Sequence, residues 1–251
     1  MNEPKIKIIN LHKSFDTKKI LTGVNLDIYQ NETFVIIGGS GTGKSVLIKH
    51  IVGLLKPDKG DIVIDGESIV NMEKSEIIKF VRKFGYVFQG AALFDSMNIE
   101  KNIRFGLERF YDYSEEQMRD IVKEVLSRVG LEGIEKKMPS ELSGGMRKRV
   151  AVARAIALKP EILIYDEPTT GLDPVLSDSI SNLMIKVKKE YNVTSVVITH
   201  DMKNAYKTAD RIGMLYKGEI IGVGNKEEIM NTDNPVIKQF IEGNSEGPIE
   251  F

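Results

Sequence analysis

The run Gly38-Gly39-Ser40-Gly41-Thr42-Gly43-Lys44-Ser45 combines glycines, a lysine and hydroxyls at a spacing that suits a phosphate. It fits the pattern GxxxxGK[ST], with Gly38, Gly43, Lys44 and Ser45 at the fixed positions. Glycines let a backbone turn so that several N–H groups face one anion. A helix N-terminus adds roughly half a positive charge there. In this reading Lys44 reaches the terminal phosphates of a nucleotide, and the Ser45 hydroxyl holds Mg²⁺. The alternative is a chance match, and the context weighs against it. Thr33–Ile37 reads as a short buried strand. Residues 46–55 read as a helix with Leu47, Ile48, Ile51, Leu54 and Leu55 on its apolar face.

Other chemistry-bearing residues lie where strands end. Asp166 follows Ile162-Leu163-Ile164-Tyr165 and sits at the mouth of a buried strand. A carboxylate there can hold the water shell of Mg²⁺ opposite Ser45, and Glu167 can polarise an attacking water. The alternative for this pair is a plain strand-to-loop break. Gln89 closes the strand FGYVF. It is either a ligand for Mg²⁺ or water through its amide oxygen, or a polar strand end. His200 closes SVVIT and can hydrogen-bond a γ-phosphate, although a lone histidine is more often structural. His12 and His50 lack such a context and read as surface or packing residues. Phe15, upstream of the glycine loop, either stacks on an adenine ring or packs within a hairpin. Leu142-Ser143-Gly144-Gly145 is a second glycine turn at a helix N-terminus, either a second anion site or a tight turn. Two chains arranged head to tail could bring both glycine loops onto one phosphate.

The elements that must position these groups follow from periodicity. Residues 5–10 alternate, as do Val24, Leu26 and Ile28, which predicts a small antiparallel sheet ahead of the phosphate loop. Residues 56–60 form a turn, and residues 62–64 a strand closed by the hairpin signal Asp65-Gly66. A short helix is predicted over 77–83 and a strand over 84–88. Between about residues 90 and 157 the strand signal nearly stops. Ser114 and Gln117 form a capping box that opens a helix with Met118, Ile121, Val122, Val125 and Leu126 on one face, closed by Gly130. A further helix runs through Leu158. Pro174–Tyr191 is a long helix with Asp173 as N-cap. A strand at 195–199, a helix through Ala209 and a hairpin turning at Lys217-Gly218 follow. The tail from about residue 225 carries short helices near Glu227 and through Phe240, and residues 243–248 read as flexible. Strands alternating with helices imply a mainly parallel sheet covered on both faces, with ligands at the carboxyl ends of its strands.

Composition sets the remaining bounds. The chain has 251 residues, enough for one α/β domain or two small ones. Its 41% apolar and 28% charged content is that of a globular protein, and with a net charge of −1 nothing in the balance argues for nucleic acid or an anionic membrane surface. It has no cysteine, which excludes disulfides and thiolate metal sites and fits a reducing compartment. The N-terminus shows no signal-peptide pattern. No apolar stretch is long enough to span a bilayer, so action on a membrane needs a partner.

Together, the Gly38 to Ser45 loop, Gln89, Leu142-Ser143-Gly144-Gly145-Met146, the strand ending at Asp166-Glu167, Gly171-Leu172-Asp173-Pro174 and His200 occur in the order and spacing of ABC transporter ATPase subunits. The resemblance covers essentially the whole chain. It implies a P-loop NTPase fold of the α/β class. The family has a mainly parallel core sheet, an N-terminal antiparallel β-subdomain and a helical subdomain, here about 90–157. It implies a single ABC ATPase domain over 1–251 that binds ATP and Mg²⁺. By resemblance, Phe15 stacks on adenine, although tyrosine is the usual residue. Gln89 senses Mg²⁺ and nucleotide, and Asp166 is the Mg²⁺ aspartate. Glu167 is the catalytic glutamate and His200 the switch histidine. Ser143, Gly144 and Gly145 close on the γ-phosphate held by the opposite protomer, and Asp173 lies in the loop that crosses the dimer interface.

One departure is Met146, where glutamine is commoner. Met146, the segment Gln89-Gly90-Ala91-Ala92-Leu93-Phe94-Asp95-Ser96 and the tail Gln239-Phe240-Ile241-Glu242-Gly243 before Gly247-Pro248-Ile249 resemble the MlaF-like ATPases of MCE lipid transporters. That resemblance implies a homodimer bound to an integral membrane permease and an MCE-domain protein. It places the subunit on the cytoplasmic side of the inner membrane, powering phospholipid transport with no nucleic-acid partner. The rival readings are an ABC ATPase for another cargo, such as an amino acid, a metal complex or a lipoprotein, and a non-transport ABC protein. A structural protein with a dead ATPase is disfavoured because every catalytic position is intact.

Overall fold

Alternation of apolar residues pairs the first two strands. Ile6, Ile8 and Leu11 on one and Val24, Leu26 and Ile28 on the other are buried. A computed structural model describes residues 3–249; residues 1–2 and 250–251, the ends of the predicted whole-chain domain, lie outside the described residues. The chain forms two compact units, one running to Val81 and resuming at Thr194, the other covering Arg82 to Val193.

The first unit opens with β1 (Ile6–Phe15) and β2 (Lys18–Ile28), then β3 (Thr33–Ile37), α1 (Lys44–Ile51), β4 (Lys59–Ile64), β5 (Glu67–Ser68) and α2 (Lys74–Val81). A four-stranded antiparallel sheet has the order β2-β1-β4-β5. The β1–β2 hairpin is longer than the sequence predicts. His12, Lys13 and Ser14 carry no apolar alternation, yet they pair with Thr22, Leu21 and Lys19. Asp65 and Gly66 both take positive φ, 53° and 80°, the left-handed pair that a tight two-residue turn needs.

The second unit holds β6 (Phe84–Val87), α3 (Ile99–Phe110), α4 (Glu115–Arg128), α5 (Gly144–Ala157), β7 (Ile162–Asp166) and α6 (Pro174–Tyr191). Strands β6 and β7 are parallel. Helix α4 begins at the predicted capping box: Ser114 Oγ accepts from the Gln117 N–H, and Gln117 Oε1 accepts from the Ser114 N–H. Helix α3 is not evident from periodicity. Its buried stripe of Ile99, Ile103 and Leu107 is interrupted by Asn102 and Gly106. At Gly106 an added Cβ would lie 3.2 Å from the Leu158 side chain, so the glycine serves close packing.

The chain then returns to the first unit with β8 (Thr194–Ile198), α7 (Met202–Thr208), β9 (Arg211–Tyr216), β10 (Glu219–Asn225), α8 (Lys226–Met230) and α9 (Pro235–Glu242). Strand β3 lies between β8 and β9 and is parallel to both; β10 is antiparallel to β9. All of β3 and β8 is buried, as strands covered on both faces must be. The stretch after α9 differs from the expected flexible end. The buried Gln239 side chain donates to the carbonyls of Asn244 (3.2 Å) and Ile249 (3.5 Å) and accepts from the Ile249 N–H at 2.7 Å. One amide thereby folds the tail back on its own helix.

Candidate nucleotide site

In the first unit, β3 ends at Ile37 and the glycine loop starts at once. Gly38, Gly41 and Gly43 take φ of 150°, 74° and 103°. A Cβ at Gly38 would lie 2.4 Å from the Leu215 carbonyl oxygen. The loop therefore needs glycine there for both conformation and space. Gly43 is the N-cap of α1 and supplies no side-chain cap. The first N–H groups of the helix are left for an anion, as in other helix-terminal phosphate cradles. Lys44 is buried, and its ammonium donates to the carbonyls of Gly38 (2.7 Å) and Gly39 (2.8 Å). Thr42 Oγ1 donates to the Gly39 carbonyl at 3.0 Å. Ser40 and Ser45 are exposed. This gives a cationic, N–H-rich loop with a hydroxyl at its edge.

His200 leaves the end of β8, beside the start of that loop. The pairing of Ile198 with Ile36 and the Thr199 N–H bond to the Ile36 carbonyl (3.2 Å) fix this. It is exposed, whereas His50 is fully buried, so the two histidines have opposite environments. Phe15 is 44% exposed at the tip of the β1–β2 hairpin, with the Lys13 ammonium 5.6 Å from its ring centre.

In the second unit, Asp166 ends β7 and Glu167 turns the chain with φ 49°, a left-handed conformation unusual for a glutamate. Thr170 Oγ1 donates to Glu167 Oε2 at 3.1 Å. Tyr86, on the parallel β6, donates its hydroxyl to Asp166 Oδ2 at 3.1 Å. Burial, then the Asp166 carboxylate, raises the pKa of Tyr86, so it remains a protonated donor. Lys148 of α5 donates to the Gln89 carbonyl and, at 3.4 Å, to the Glu167 carbonyl. Burial lowers its pKa, while the Asp166 and Glu167 charges oppose that shift. One ammonium thus joins the Gln89 loop to the Asp166-Glu167 turn. The next two residues past Gly90, Ala91 and Ala92, both take left-handed φ (63° and 47°). Arg154 donates to their carbonyls at 2.8 and 2.7 Å.

The second glycine turn caps α5. Ser143 Oγ accepts from the Met146 N–H at 3.3 Å, and Arg147 donates to the Leu142 carbonyl at 2.6 Å. Asp173 caps α6 as predicted, its Oδ1 accepting from the Val175 and Leu176 N–H groups at 2.9 and 3.0 Å.

The fold thus gathers the glycine loop and His200 at neighbouring strand ends of one unit. It gathers Gln89, Asp166 and Glu167 around Lys148 in the other. Sequence reasoning missed Tyr86, Lys148 and Thr170. Lys148 was the detectable one: it lies with Gly145 and Val152 on the buried stripe of α5, where an unexplained charge is a signal.

The loop, the strand-end carboxylates and the parallel strands define an ATP-binding cassette. A family model described as ABC transporter matches residues 21–170, and the chain belongs to that family. The chain is 42% identical over 244 residues to the "Probable ribonucleotide transport ATP-binding protein mkl" of Mycobacterium leprae, covering 97% of this chain and 70% of that one. It is 35% identical over 251 residues to the "Intermembrane phospholipid transport system ATP-binding protein MlaF" of Haemophilus influenzae, covering 100% and 95%. Among solved structures it resembles a dimeric post-hydrolysis ATP-binding cassette bound to ADP and Pi. The TM-score is 0.81 and the identity 34%, covering 88% of this chain and 98% of that one. The chain is an α/β ABC ATPase that binds and hydrolyses ATP.

Proposed function

We propose that this chain is the ATP-hydrolysing subunit of an ABC transporter that moves phospholipid across the cell envelope. The observation that carries the cargo is the likeness to the phospholipid-transport ATPase, which runs the full length of this chain and nearly all of that one. The subunit works as a homodimer on the cytoplasmic face of the inner membrane. It drives an integral permease that sits with an MCE-domain lipid-binding protein. The relative whose name gives ribonucleotide transport is more identical but longer, and it supplies the competing cargo. Among the described residues no helix is long and apolar enough to cross a membrane. The two compact units act as one ATPase domain, supported by a family match that runs through their boundary.

The residues present suit Mg²⁺·ATP. A helix N-terminus without a side-chain cap and a buried lysine face the phosphates. Ser45 and Asp166 offer the hard oxygen donors that Mg²⁺ prefers. Held by such donors, Mg²⁺ would supply charge neutralisation to the transferred phosphoryl group. Lys44 pairs with the β- and γ-phosphate oxygens, and Phe15 stacks on the base. Glu167, held by Thr170, orients and deprotonates the attacking water, and His200 donates to the γ-phosphate. Gln89 senses the ion and passes its presence to the loop behind it. Ser143, Gly144 and Gly145 from the second copy close the site. The chain's contribution is positioning and charge stabilisation. The segment from Gly90 to Phe105 forms part of the surface that docks the permease, supported by the exposed, mutually packed rings of Phe94 and Phe105, whose centres are 4.7 Å apart.

Purification of the tagged chain from detergent-solubilised native membranes, with mass spectrometry of what accompanies it, tests this reading. A permease, an MCE-domain protein and bound phospholipid are the expected companions. Recovery of a different permease without phospholipid discards the lipid cargo. A ribosomal or DNA-associated partner overturns transport altogether.

A further inference from the structure

The geometry points to Tyr86 as a positioning residue that orients the Asp166 carboxylate for its divalent cation. This inference rests on the reading of Asp166 as the carboxylate that holds the Mg²⁺ shell. Strands β6 and β7 pair in parallel with Tyr86 opposite Ile164. Side chains two apart on a strand share a face, so Ile164 and Asp166 point the same way. Tyr86 therefore has Asp166 as its diagonal neighbour across the parallel pair. Its hydroxyl donates to Asp166 Oδ2 at 3.1 Å.

The ring is itself fixed. Phe88, two residues on and on the same face, stacks on it with ring centres 4.1 Å apart and an interplanar angle of 30°. The last torsion of an aspartate is broad and two-fold, so a hydrogen bond on one oxygen biases the orientation of its carboxylate. A donor on Oδ2 selects one orientation and leaves Oδ1 as the oxygen directed away from Tyr86. A hydrogen bond from a neutral phenol does this without adding a positive charge that would compete with the metal. A bond to an ionised acceptor is also stronger than one between neutral groups. Tyr86 does not touch nucleotide in this account, and its effect passes through Asp166.

The test uses the full chain and four forms: wild type, Tyr86→Phe, Asp166→Asn and the double variant. ATPase rate is titrated with free Mg²⁺ at saturating ATP. Binding of Mn²⁺·ATP is followed separately by the Mn²⁺ paramagnetic resonance signal. Tyr86→Phe is expected to raise the half-saturating Mg²⁺ concentration by about 3- to 10-fold, in line with the net contribution of a single hydrogen bond. The fall in kcat should be smaller than that rise. Mn²⁺ affinity should weaken by a similar factor, while nucleotide binding in EDTA holds. Asp166→Asn should shift the titration further, and Tyr86→Phe added to it should have no additional effect. Phe88→Leu keeps the hydroxyl but removes the stacking ring, and should move the titration the same way by less.

A Tyr86→Phe titration that overlays wild type while Asp166→Asn shifts overturns the role of Tyr86 and leaves Asp166 in place. An Asp166→Asn titration that overlays wild type overturns the reading of Asp166, and the role of Tyr86 with it. A lower melting temperature in Tyr86→Phe with unchanged metal dependence makes the bond purely structural and also overturns the proposal.

Discussion

Asn102 closes a ring of hydrogen bonds on Phe94. Its Oδ1 accepts from the Phe94 N–H at 2.8 Å, and its Nδ2 donates to the Phe94 carbonyl at 3.1 Å. The same amide reaches the carbonyls of Met97 (2.9 Å) and Asn98 (3.1 Å), and Asn102 is fully buried. A helical residue therefore shapes the loop ahead of its own helix and sets out the Phe94 ring. Asn102→Leu keeps the branched shape of the side chain and loses every one of these bonds. It should lower unfolding free energy by about 2–4 kcal/mol, because buried loop groups lose their partners. Urea denaturation measures this, and permease-stimulated ATPase should fall with it. A loss under about 0.5 kcal/mol, the range of an inert surface change, would contradict the role.

Two glycines of the phosphate loop should respond differently to alanine. At Gly38 the added methyl meets the Leu215 carbonyl at 2.4 Å, whereas at Gly41 nothing lies within 4 Å. Gly41→Ala should cost only the backbone strain of a left-handed alanine, about 1–2 kcal/mol. Gly38→Ala adds an overlap with main chain and should cost more than that and abolish nucleotide binding. Thermal melts with and without ATP rank the two variants.

Tyr165 is fully buried, and its hydroxyl has no hydrogen-bond partner among the described residues. An unpaired buried hydroxyl is a cost of about 1–3 kcal/mol. Tyr165→Phe should leave the melting temperature unchanged or raise it. A drop of several degrees would show that the hydroxyl is satisfied.

His50 gives a pH dependence. It is fully buried; Nδ1 donates to the Val46 carbonyl at 2.7 Å, and among the described residues Nε2 meets no hydrogen-bond partner. Burial is the main cause that lowers its pKa below the ordinary histidine value of 6.5. The fold thus favours the neutral ring, and the unfolded chain binds the proton more readily. Stability from this group is complete above about pH 6.5 and declines as pH falls below it, levelling off once the folded pKa is passed. His50→Leu should show a flatter loss of stability between pH 7.5 and 5 than wild type. Parallel curves would contradict this.

How much of this was readable in the sequence depends on the range of the interaction. The glycine loop, the Ser114–Gln117 box, the Asp173 cap and the Lys217-Gly218 turn are set by residues within a few positions of each other, and they stand where the pattern puts them. Tyr86 meets Asp166 because two strands distant in sequence pair in one register, and Lys148 meets Gln89 because α5 packs behind its loop. Neither follows from local spacing. Helix α3 escaped because Asn102 and Gly106 serve loop bonding and close packing in place of hydrophobicity. The tail seemed flexible because Gln239 looks like any surface amide until its three backbone bonds are seen.

The central claim is that Glu167 activates the water at a site closed by two copies of this chain. Glu167→Gln, mixed with Mg²⁺ and ATP and passed over a sizing column with light scattering, tests it directly. The account predicts a dimer that retains ATP and hydrolyses it at least about 100-fold more slowly than wild type, the scale of a lost general base. A variant that turns over at the wild-type rate, or that stays monomeric with ATP bound, would contradict it.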